Sequence, residues 1–258
     1  MGHTYLVGID IGTTNCKTTL YEIDGRAKLN SFAKYAVHRP AAGWAEQNPE
    51  DWWRAVVTNL KKITAKINPA DILGIGISGQ MEGPVCLDKD DNVVRPCIIW
   101  VDQRTRRQCE LIKNKVDSRT LYEITGCHIY HTHTAPRLLW MKENEPNVFE
   151  KVEKVMFSKD FIRYRLTGNY STDPSDASSS LLFDIRKRNW SDELIKEFVL
   201  PRDIFPPVSS STDVAGEVSS NVAKKTGLKK GTPMIAGGSD VGCSELGLGL
   251  AQVGISCI

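Results

Sequence analysis

Short apolar runs that end in glycine-flanked polar clusters recur along the chain, and they predict buried strands. Residues 5–10 form the first run, and residues 17–23 alternate well enough to form a second strand after a Gly/Thr turn. A tight turn at Asp24-Gly25 follows, so we expect the chain to open with a β-hairpin. This opening differs from the strand, glycine loop and helix of a P-loop or Rossmann unit, and neither glycine motif occurs in it.

Apolar residues at three- and four-residue steps predict one long helix and several shorter ones. The clearest is 49–67, where Trp52, Val56 and Leu60 share a face and Pro49 suits the N-terminus. Further helices are predicted at 105–115, 136–144, 160–166, 194–199, 221–226 and 241–250. Strands are predicted at 72–78, 85–88, 97–101 and 254–258, a loop or a pair of short strands at 169–191, and irregular structure at 201–207.

The alternation of strands and helices, with hairpins mixed in, predicts an α/β fold with a mixed β-sheet flanked by helices. No linker rich in Pro, Ser and Gly divides the 258 residues, so we expect one large domain. The apolar residues 254–258 are typical of a strand cut off at its start. We therefore expect a further part of the protein to follow them.

The composition is that of an ordinary globular protein, with 41% hydrophobic and 25% charged residues. With 33 basic and 31 acidic residues, the chain lacks the basic excess of a nucleic-acid binder. No apolar stretch approaches membrane-spanning length, and the N-terminus offers no signal peptide. Seven scattered cysteines without a CxxC pair fit a reducing compartment. These features predict a cytoplasmic protein that binds neither nucleic acid nor membranes.

Three polar clusters each follow a predicted strand: Asp10 with residues 12–14, residues 80–82, and Asp240 after Gly237-Gly238. Side chains at strand ends converge on a crevice, and glycine lets the backbone approach a ligand. The carboxylate of Asp10 could hold a hydrated Mg²⁺, while the threonine hydroxyls and turn amides bind phosphate oxygens. The residue pattern alone fits equally well an acid and two threonines that satisfy a tight turn.

The other two clusters also allow two interpretations each. Asp240 suits a general base that takes the proton of an attacking hydroxyl, and it suits the N-cap of a helix beginning at Val241. Residues 80–82 offer polar contacts and one apolar face to a sugar, or form a polar loop between two strands. Trp100 suggests an aromatic floor beneath a sugar, although a buried core tryptophan is the more frequent outcome.

Three histidines, His128, His131 and His133, lie close together in a polar stretch. No acidic or cysteine partner stands near them at ligand spacing, so we expect solvated side chains here and no metal site.

Taken together and in this order, the clusters resemble the FGGY carbohydrate kinases of the actin/hexokinase/Hsp70 ATPase superfamily. The segments that carry the resemblance are 8–15 (GIDIGTTN), 44–53 (WAEQNPEDWW), 78–83 (SGQMEG), 99–104 (IWVDQR), 134–144 (TAPRLLWMKEN) and 237–240 (GGSD). The resemblance implies an RNase H-like (actin-like ATPase) domain over residues 4–258. It also implies ATP with Mg²⁺, and phosphoryl transfer to a sugar or polyol hydroxyl.

The same resemblance assigns roles to individual residues. Asp240 would be the catalytic base, and Asp10 would lie near the metal. The residues near the nucleotide phosphates would be Gly12, Thr13, Thr14 and Lys17. The residues that bind the sugar would be Gln80, Met81, Glu82, Trp100, Asp102 and Arg104.

The identity of the sugar depends on position 82. Xylulokinases usually have Gln-Met-His where this chain has Gln80-Met81-Glu82, whereas glycerol kinases have a Glu at the matching position and an Arg in place of Met81. Segment 44–53 and Gln80-Met81 agree with xylulokinases, so the resemblance favours a ketopentose such as xylulose. Kinases for glycerol, gluconate or another polyol are the alternatives.

The family also has a second domain, about as long again, that bears the adenosine pocket. We expect that domain to be absent from these residues, so the 258-residue piece should fold and yet be nearly inactive alone. A homodimer is an option for the full-length protein. A rival of another class is a non-catalytic nucleotide-binding regulatory protein of the same superfamily, against which the sugar-binding loops and the base at Asp240 both argue.

Overall fold

The computed structural model describes residues 4–250, which form thirteen strands and ten α-helices. The strands are β1 (Tyr5–Ile11), β2 (Asn15–Glu22), β3 (Ala27–Lys34), β4 (Glu46–Gln47), β5 (Ile72–Gly79), β6 (Val85–Leu87), β7 (Cys97–Ile98), β8 (Lys154–Met156), β9 (Phe183–Asp184), β10 (Asn189–Trp190), β11 (Val214–Glu217), β12 (Pro233–Ile235) and β13 (Gly238–Ser239). The helices are α1 (Pro49–Thr64), α2 (Arg106–Lys115), α3 (Ser118–Thr125), α4 (Thr134–Asn144), α5 (Pro146–Phe149), α6 (Ser158–Thr167), α7 (Pro174–Ala177), α8 (Asp192–Glu197), α9 (Ser220–Thr226) and α10 (Asp240–Gly247).

Seven strands form one mixed sheet in the order β11-β12-β5-β1-β2-β3, with β13 also paired to β5. Strands β1, β2 and β3 are antiparallel neighbours, which confirms the predicted opening hairpin. Strand β5 runs parallel to β1 on one side and to β12 and β13 on the other. The predicted mixed sheet is therefore confirmed. Its parallel strands β1, β5 and β13 all end at the same edge of the sheet.

One face of the sheet is covered by helices α1, α6 and α9. Alternate residues of β1, such as Val7 and Ile9, are buried against these helices, whereas Leu6 and Asp10 lie on the opposite face. Helix α1 buries Trp52 and Leu60 completely, and Asn48 caps its N-terminus by accepting a hydrogen bond from the Glu50 amide.

A second hydrophobic cluster forms beside the sheet. Helices α2, α4 and α8 and residues 181–205 contribute to it, with Leu138 and Phe183 among its most buried side chains. The cluster supports the loop that follows β7, because Ile98 at the end of β7 is part of it. None of the helices within residues 4–250 is both long and apolar enough to cross a membrane.

Several predicted elements differ from those observed. The strand predicted at 97–101 ends at Ile98, because the chain turns there and the Asp102 amide donates to the carbonyl oxygen of Ile99. The interval 169–191 contains the predicted pair of short strands and also the unpredicted helix α7. Strand β3 and helix α3 were not predicted. The strand predicted at 254–258 lies outside the described residues.

A fully buried group of charges, the Lys159 cluster, joins α6 to the segment that contains α7. The Lys159 amine lies 2.6 Å from Asp160, 2.9 Å from Asp173 and 3.1 Å from Asp176, and none of the four side chains is exposed. Arg163 adds a second cation and donates to the carbonyl oxygen of Ala236, just beyond β12. Burial raises the pKa of Asp176 well above its usual value, although Lys159 opposes the shift.

The chain passes very close to β5 at Gly237. This residue has φ +80°, and a Cβ built on it would overlap the carbonyl oxygen of Ile77. Only glycine combines the left-handed backbone with the absence of a side chain. Gly237 is therefore what allows β13 to pair with β5 on the side opposite β1.

We expect Lys159→Met to lower the free energy of unfolding by about 3–5 kcal/mol, because it leaves three buried carboxylates with only Arg163 to compensate them. Urea denaturation of the 258-residue chain measures the change. The matched control is Lys187→Met, which removes a lysine whose side chain is 77% exposed in its pair with Asp184. That control should change the value by about 1 kcal/mol or less, and equal losses in both variants would contradict a special role for the buried lysine.

We expect Gly237→Ala to be more destabilising than Gly168→Ala, although the two glycines have nearly the same φ, +80° and +79°. The left-handed backbone costs alanine about 1–2 kcal/mol at both positions. At Gly237 the overlap with Ile77 adds about 1–3 kcal/mol, whereas nothing lies within 4 Å of a Cβ at Gly168. Denaturant midpoints measure the difference, and equal midpoints would show that β13 does not require this close approach.

Candidate active site

The three polar clusters predicted from the sequence meet at one edge of the sheet. Ser78, near the end of β5, is paired with Asp10 of β1 on one side and with Gly238 of β13 on the other. Since the three strands are parallel, the residues that follow each of them emerge on the same side. Asp10, the loop 80–82 and Asp240 therefore surround a common crevice.

Asp240 is the first residue of α10 and does not cap it. Ser239 is the N-cap, with its hydroxyl oxygen accepting a hydrogen bond from the Gly242 amide at 3.2 Å. The interpretation of Asp240 as a cap is thus wrong. The Ser239 amide in turn donates to the Ser175 hydroxyl oxygen at 2.9 Å, and Ser175 donates to Asp173 at 2.6 Å. The Lys159 cluster thereby fixes the backbone that carries Asp240.

The electrostatic environment of Asp240 favours its protonated form more than water does. Burial raises its pKa, the negative charges of Asp10 and Glu82 raise it further, and the hydrogen bond from the Val241 amide at 2.9 Å opposes them. Burial also raises the pKa of Asp10, against the Ser78 hydroxyl at 3.3 Å and the charge of Lys17. A carboxyl group with a raised pKa is a stronger base, so it is suited to accept a proton in catalysis.

The turn after β1 is braced by hydrogen bonds to its backbone. The Gly12 amide donates to the carbonyl oxygen of Asn15 at 3.1 Å, and the Gly12 carbonyl oxygen accepts from the Tyr35 hydroxyl at 2.5 Å. The carbonyl oxygen of Thr13 accepts from Gln47 at 2.7 Å. The backbone of the turn is thus held in place, with Thr13 partly buried and Thr14 exposed.

Trp100 contacts this turn from across the crevice. Its indole nitrogen donates to the Thr13 hydroxyl at 2.9 Å, and 44% of the residue is exposed. The buried core tryptophan that would have been the more frequent outcome is therefore not observed. The aromatic surface is open at the crevice, next to Thr13 and the exposed Thr14.

Gln80 is held by its backbone and keeps one polar atom without a protein partner. Its amide donates to the carbonyl oxygen of Ile11 at 2.8 Å, and its carbonyl oxygen accepts from Ser158 at 2.7 Å. Its side-chain nitrogen donates to Gln47 at 2.7 Å. The side-chain oxygen is buried and has no hydrogen-bond partner within residues 4–250. This oxygen is an acceptor that a ligand hydroxyl could satisfy.

Glu82 follows the partly buried Met81 and has a left-handed backbone, with φ 71°. Its carbonyl oxygen accepts from the Thr134 hydroxyl at 2.8 Å and from Arg137 at 3.2 Å. Arg137 is fully buried, and burial lowers its pKa to about 10. Non-glycine residues with this backbone persist only where their surroundings hold them in place, and such positions are concentrated at functional sites.

His133 lies beside Glu82, at 3.1 Å from its carboxylate. The expectation of a solvated side chain is wrong for this histidine, which is only 8% exposed. Sequence reasoning missed the contact because 51 positions separate the two residues, and no local pattern links them.

Asp102 and Arg104 lie behind the crevice wall, in a buried ion pair. Both residues have almost fully buried side chains, and the Asp102 carboxylate accepts from Arg104 at 2.7–3.0 Å and from the Ala45 amide. The Arg104 guanidinium also pairs with Glu46 and stacks on Trp44, 3.7 Å from the ring centre. Both side chains thus already have protein partners. The predicted binding of a sugar by Asp102 and Arg104 therefore remains a prediction.

A cleft of about 540 Å³ opens on the sheet face next to this crevice, and its lining includes Asp10, Lys17, Ser78 and residues 237–238. No group of three or more His, Cys, Asp or Glu residues in the described part of the chain could hold a metal. Asp10 nevertheless supplies one partly buried carboxylate. That donor fits Mg²⁺, which is commonly held by one or two carboxylates, water and phosphate oxygens.

The chain is similar to several known sugar and polyol kinases. The chain is 37% identical over 252 residues to the xylulose kinase of Bacillus subtilis, covering 97% of this chain and 50% of that protein. It is 34% identical over 220 residues to the glycerol kinase of Thermococcus kodakarensis, covering 82% and 44%. The structure of a xylulose kinase from Rhodospirillum rubrum superposes with a TM-score of 0.94 at 27% identity, covering 97% and 52%.

The chain thus spans about half the length of these relatives. The match to the last of them confirms the predicted actin-like ATPase fold. The profile of the N-terminal domain of the FGGY family of carbohydrate kinases matches residues 5–247, nearly all of the described chain. Together with the xylulose kinase relatives, this match shows that the chain belongs to the FGGY family of carbohydrate kinases.

Proposed function

We propose that this chain is the sugar-binding lobe of an ATP-dependent kinase that phosphorylates a hydroxyl of a ketopentose, with xylulose as the first candidate. The observation that carries the proposal is the environment of Asp240. Its carboxylate has no capping role, its pKa is raised, and it lies in the same crevice as Asp10 and Glu82. The xylulose kinase relatives support the choice of sugar.

In this proposal Asp240 accepts the proton of the sugar hydroxyl while that oxygen attacks the γ-phosphorus of ATP. The new oxygen–phosphorus bond forms as the bond to the β-phosphate oxygen breaks, so ADP leaves with the bonding electrons. The turn at Gly12, Thr13 and Thr14 would bind phosphate oxygens, with Lys17 adding positive charge. Mg²⁺, when bound near Asp10, would neutralise charge on the phosphates. The remaining ATP contacts would come from a second lobe.

The sugar would lie against Trp100 and Met81, with its hydroxyls paired to the polar groups opposite. The free side-chain oxygen of Gln80 and the carboxylate of Glu82 are both acceptors, so each would receive a hydrogen bond from a sugar hydroxyl. Acceptors alone do not select one sugar. A polyol such as glycerol is therefore the second candidate, favoured by the carboxylate at position 82 and by the glycerol kinase relative.

We also propose that the protein works in the cytoplasm, since the six cysteines within residues 4–250 are all free. A homodimer of the full-length protein remains a prediction, which size-exclusion chromatography with light scattering would test.

We expect Asp240→Asn to lower kcat for sugar phosphorylation about 10²–10⁴-fold in the full-length natural chain, because the amide cannot accept the hydroxyl proton. A coupled ADP assay over a panel of ketopentoses, glycerol and gluconate measures the rate. Asp203→Asn, which changes an exposed aspartate, is the matched control and should retain full activity. The 258-residue chain alone should be nearly inactive in the same assay. ATP hydrolysis that is independent of sugar and unchanged by Asp240→Asn would favour a regulatory nucleotide-binding protein instead.

We expect kcat to fall as the pH is lowered, with a midpoint above the usual Asp value, because the base must be ionised and its pKa is raised. Neutralising Glu82 with Glu82→Gln removes one of the charges that raise this pKa. The midpoint should therefore move to lower pH when kcat is measured at saturating sugar. A midpoint that stays in place, or moves to higher pH, would show that Asp240 is not the titrating group.

A further inference from the structure

His133 is surrounded by hydrogen-bond acceptors at both of its ring nitrogens. Nδ1 lies 2.6 Å from the carbonyl oxygen of Ser179 and 3.1 Å from Oε1 of Glu82. Nε2 lies 3.0 Å from the carbonyl oxygen of His128. The residue is 8% exposed, so these protein oxygens form most of its polar surroundings.

This arrangement distinguishes between the charge states of the ring. A neutral imidazole has one N–H group, so in either tautomer a nitrogen lone pair would face a carbonyl oxygen. An imidazolium has an N–H group on each nitrogen, for which the carbonyl oxygens of Ser179 and His128 are acceptors, and its charge lies 3.1 Å from the Glu82 carboxylate. A buried group left without its partner costs more than the hydrogen bond contributes. The geometry therefore favours the charged ring, with the Glu82 carboxylate as its counterion.

Glu82 is fixed on this side and open on the other. Its Oε1 atom lies near His133 and 3.3 Å from the Thr132 hydroxyl. Its Oε2 atom has no hydrogen-bond partner within residues 4–250, and 16% of the side chain remains exposed. The negative charge of Glu82 also raises the pKa of Asp240, so the two carboxylates lie within electrostatic range of each other.

We propose that His133 is a positioning residue, whose imidazolium holds Glu82 so that Oε2 accepts a hydrogen bond from a substrate hydroxyl. This inference rests on the proposed sugar kinase function and names a residue that determines sugar affinity at that site.

Other charged and titratable groups surround the pair. Those facing the Glu82 carboxylate or the His133 ring are Cys127, His128, Tyr130, His131, Arg137 and Asp240. Arg137 keeps its charge throughout the neutral range, since burial lowers its pKa only to about 10. The experiment must therefore identify His133 among three neighbouring histidines.

Nuclear magnetic resonance of the chain labelled with ¹⁵N-histidine identifies the charge state directly. The signals absent from a His133→Gln spectrum belong to His133, and we expect both of its ring nitrogens to be protonated at neutral pH. A single neutral tautomer in the wild type at neutral pH would overturn the proposal, whether or not any variant is active.

Steady-state kinetics of the full-length natural chain tests the positioning role. We expect His133→Gln to raise KM for the sugar about 10–100-fold, the value of a hydrogen bond to a charged group, while kcat changes less than about threefold because Asp240 is retained. The control is His38→Gln, which changes an exposed histidine whose backbone alone pairs with Glu46.

The outcomes separate this inference from the proposed function. An unchanged KM in His133→Gln, or a loss confined to kcat, overturns the positioning role while leaving the kinase intact. If the wild-type chain phosphorylates no sugar, the kinase function fails, and the substrate role of the pair fails with it. In that case a protonated ring in the spectrum would show only that the ion pair itself exists.

Discussion

The parallel pairing of β5 with strands on both sides is the constraint on which the rest of the site depends. Asp10 and Asp240 are 230 positions apart, and they approach each other only because β1 and β13 both pair with the same residue of β5, Ser78. The pairing requires a chain that can pass beside Ile77 without a side chain, which Gly237 provides. The crevice is therefore a product of strand register more than of any single loop.

The second requirement is that β13 stays in that register. Buried charged groups contribute directional bonds that fix the position of this strand, which apolar packing alone does not provide. The Lys159 cluster gathers two cations and three carboxylates in the interior, and Arg163 and Ser175 extend it to the backbone on either side of Gly237. Such groups cost desolvation energy and often add little net stability. Their directional bonds, however, define one position for the strand that precedes Asp240.

Local signals in the sequence predicted much of this architecture. Helix α1 was predictable from its periodic apolar face. The clusters at Asp10, residues 80–82 and Asp240 were predictable from the glycines at the ends of strands. Strand β3 was not predicted, because most of its residues are exposed and its alternation is weak. The roles of Asp102, Lys159 and His133 were also beyond reach, since each depends on partners distant in the sequence that only the fold brings near.

The left-handed backbone at Glu82 limits how the pocket can change during evolution. Asparagine, aspartate, histidine and glycine adopt this conformation more readily than other residues, whereas β-branched side chains strongly disfavour it. Replacement at position 82 is therefore easiest among residues that are polar or very small. A lineage could exchange a carboxylate for an imidazole or an amide at this point while the loop kept its shape. The backbone conformation thus limits the side chains that can contact the substrate at this position to a narrow set of hydrogen-bonding groups.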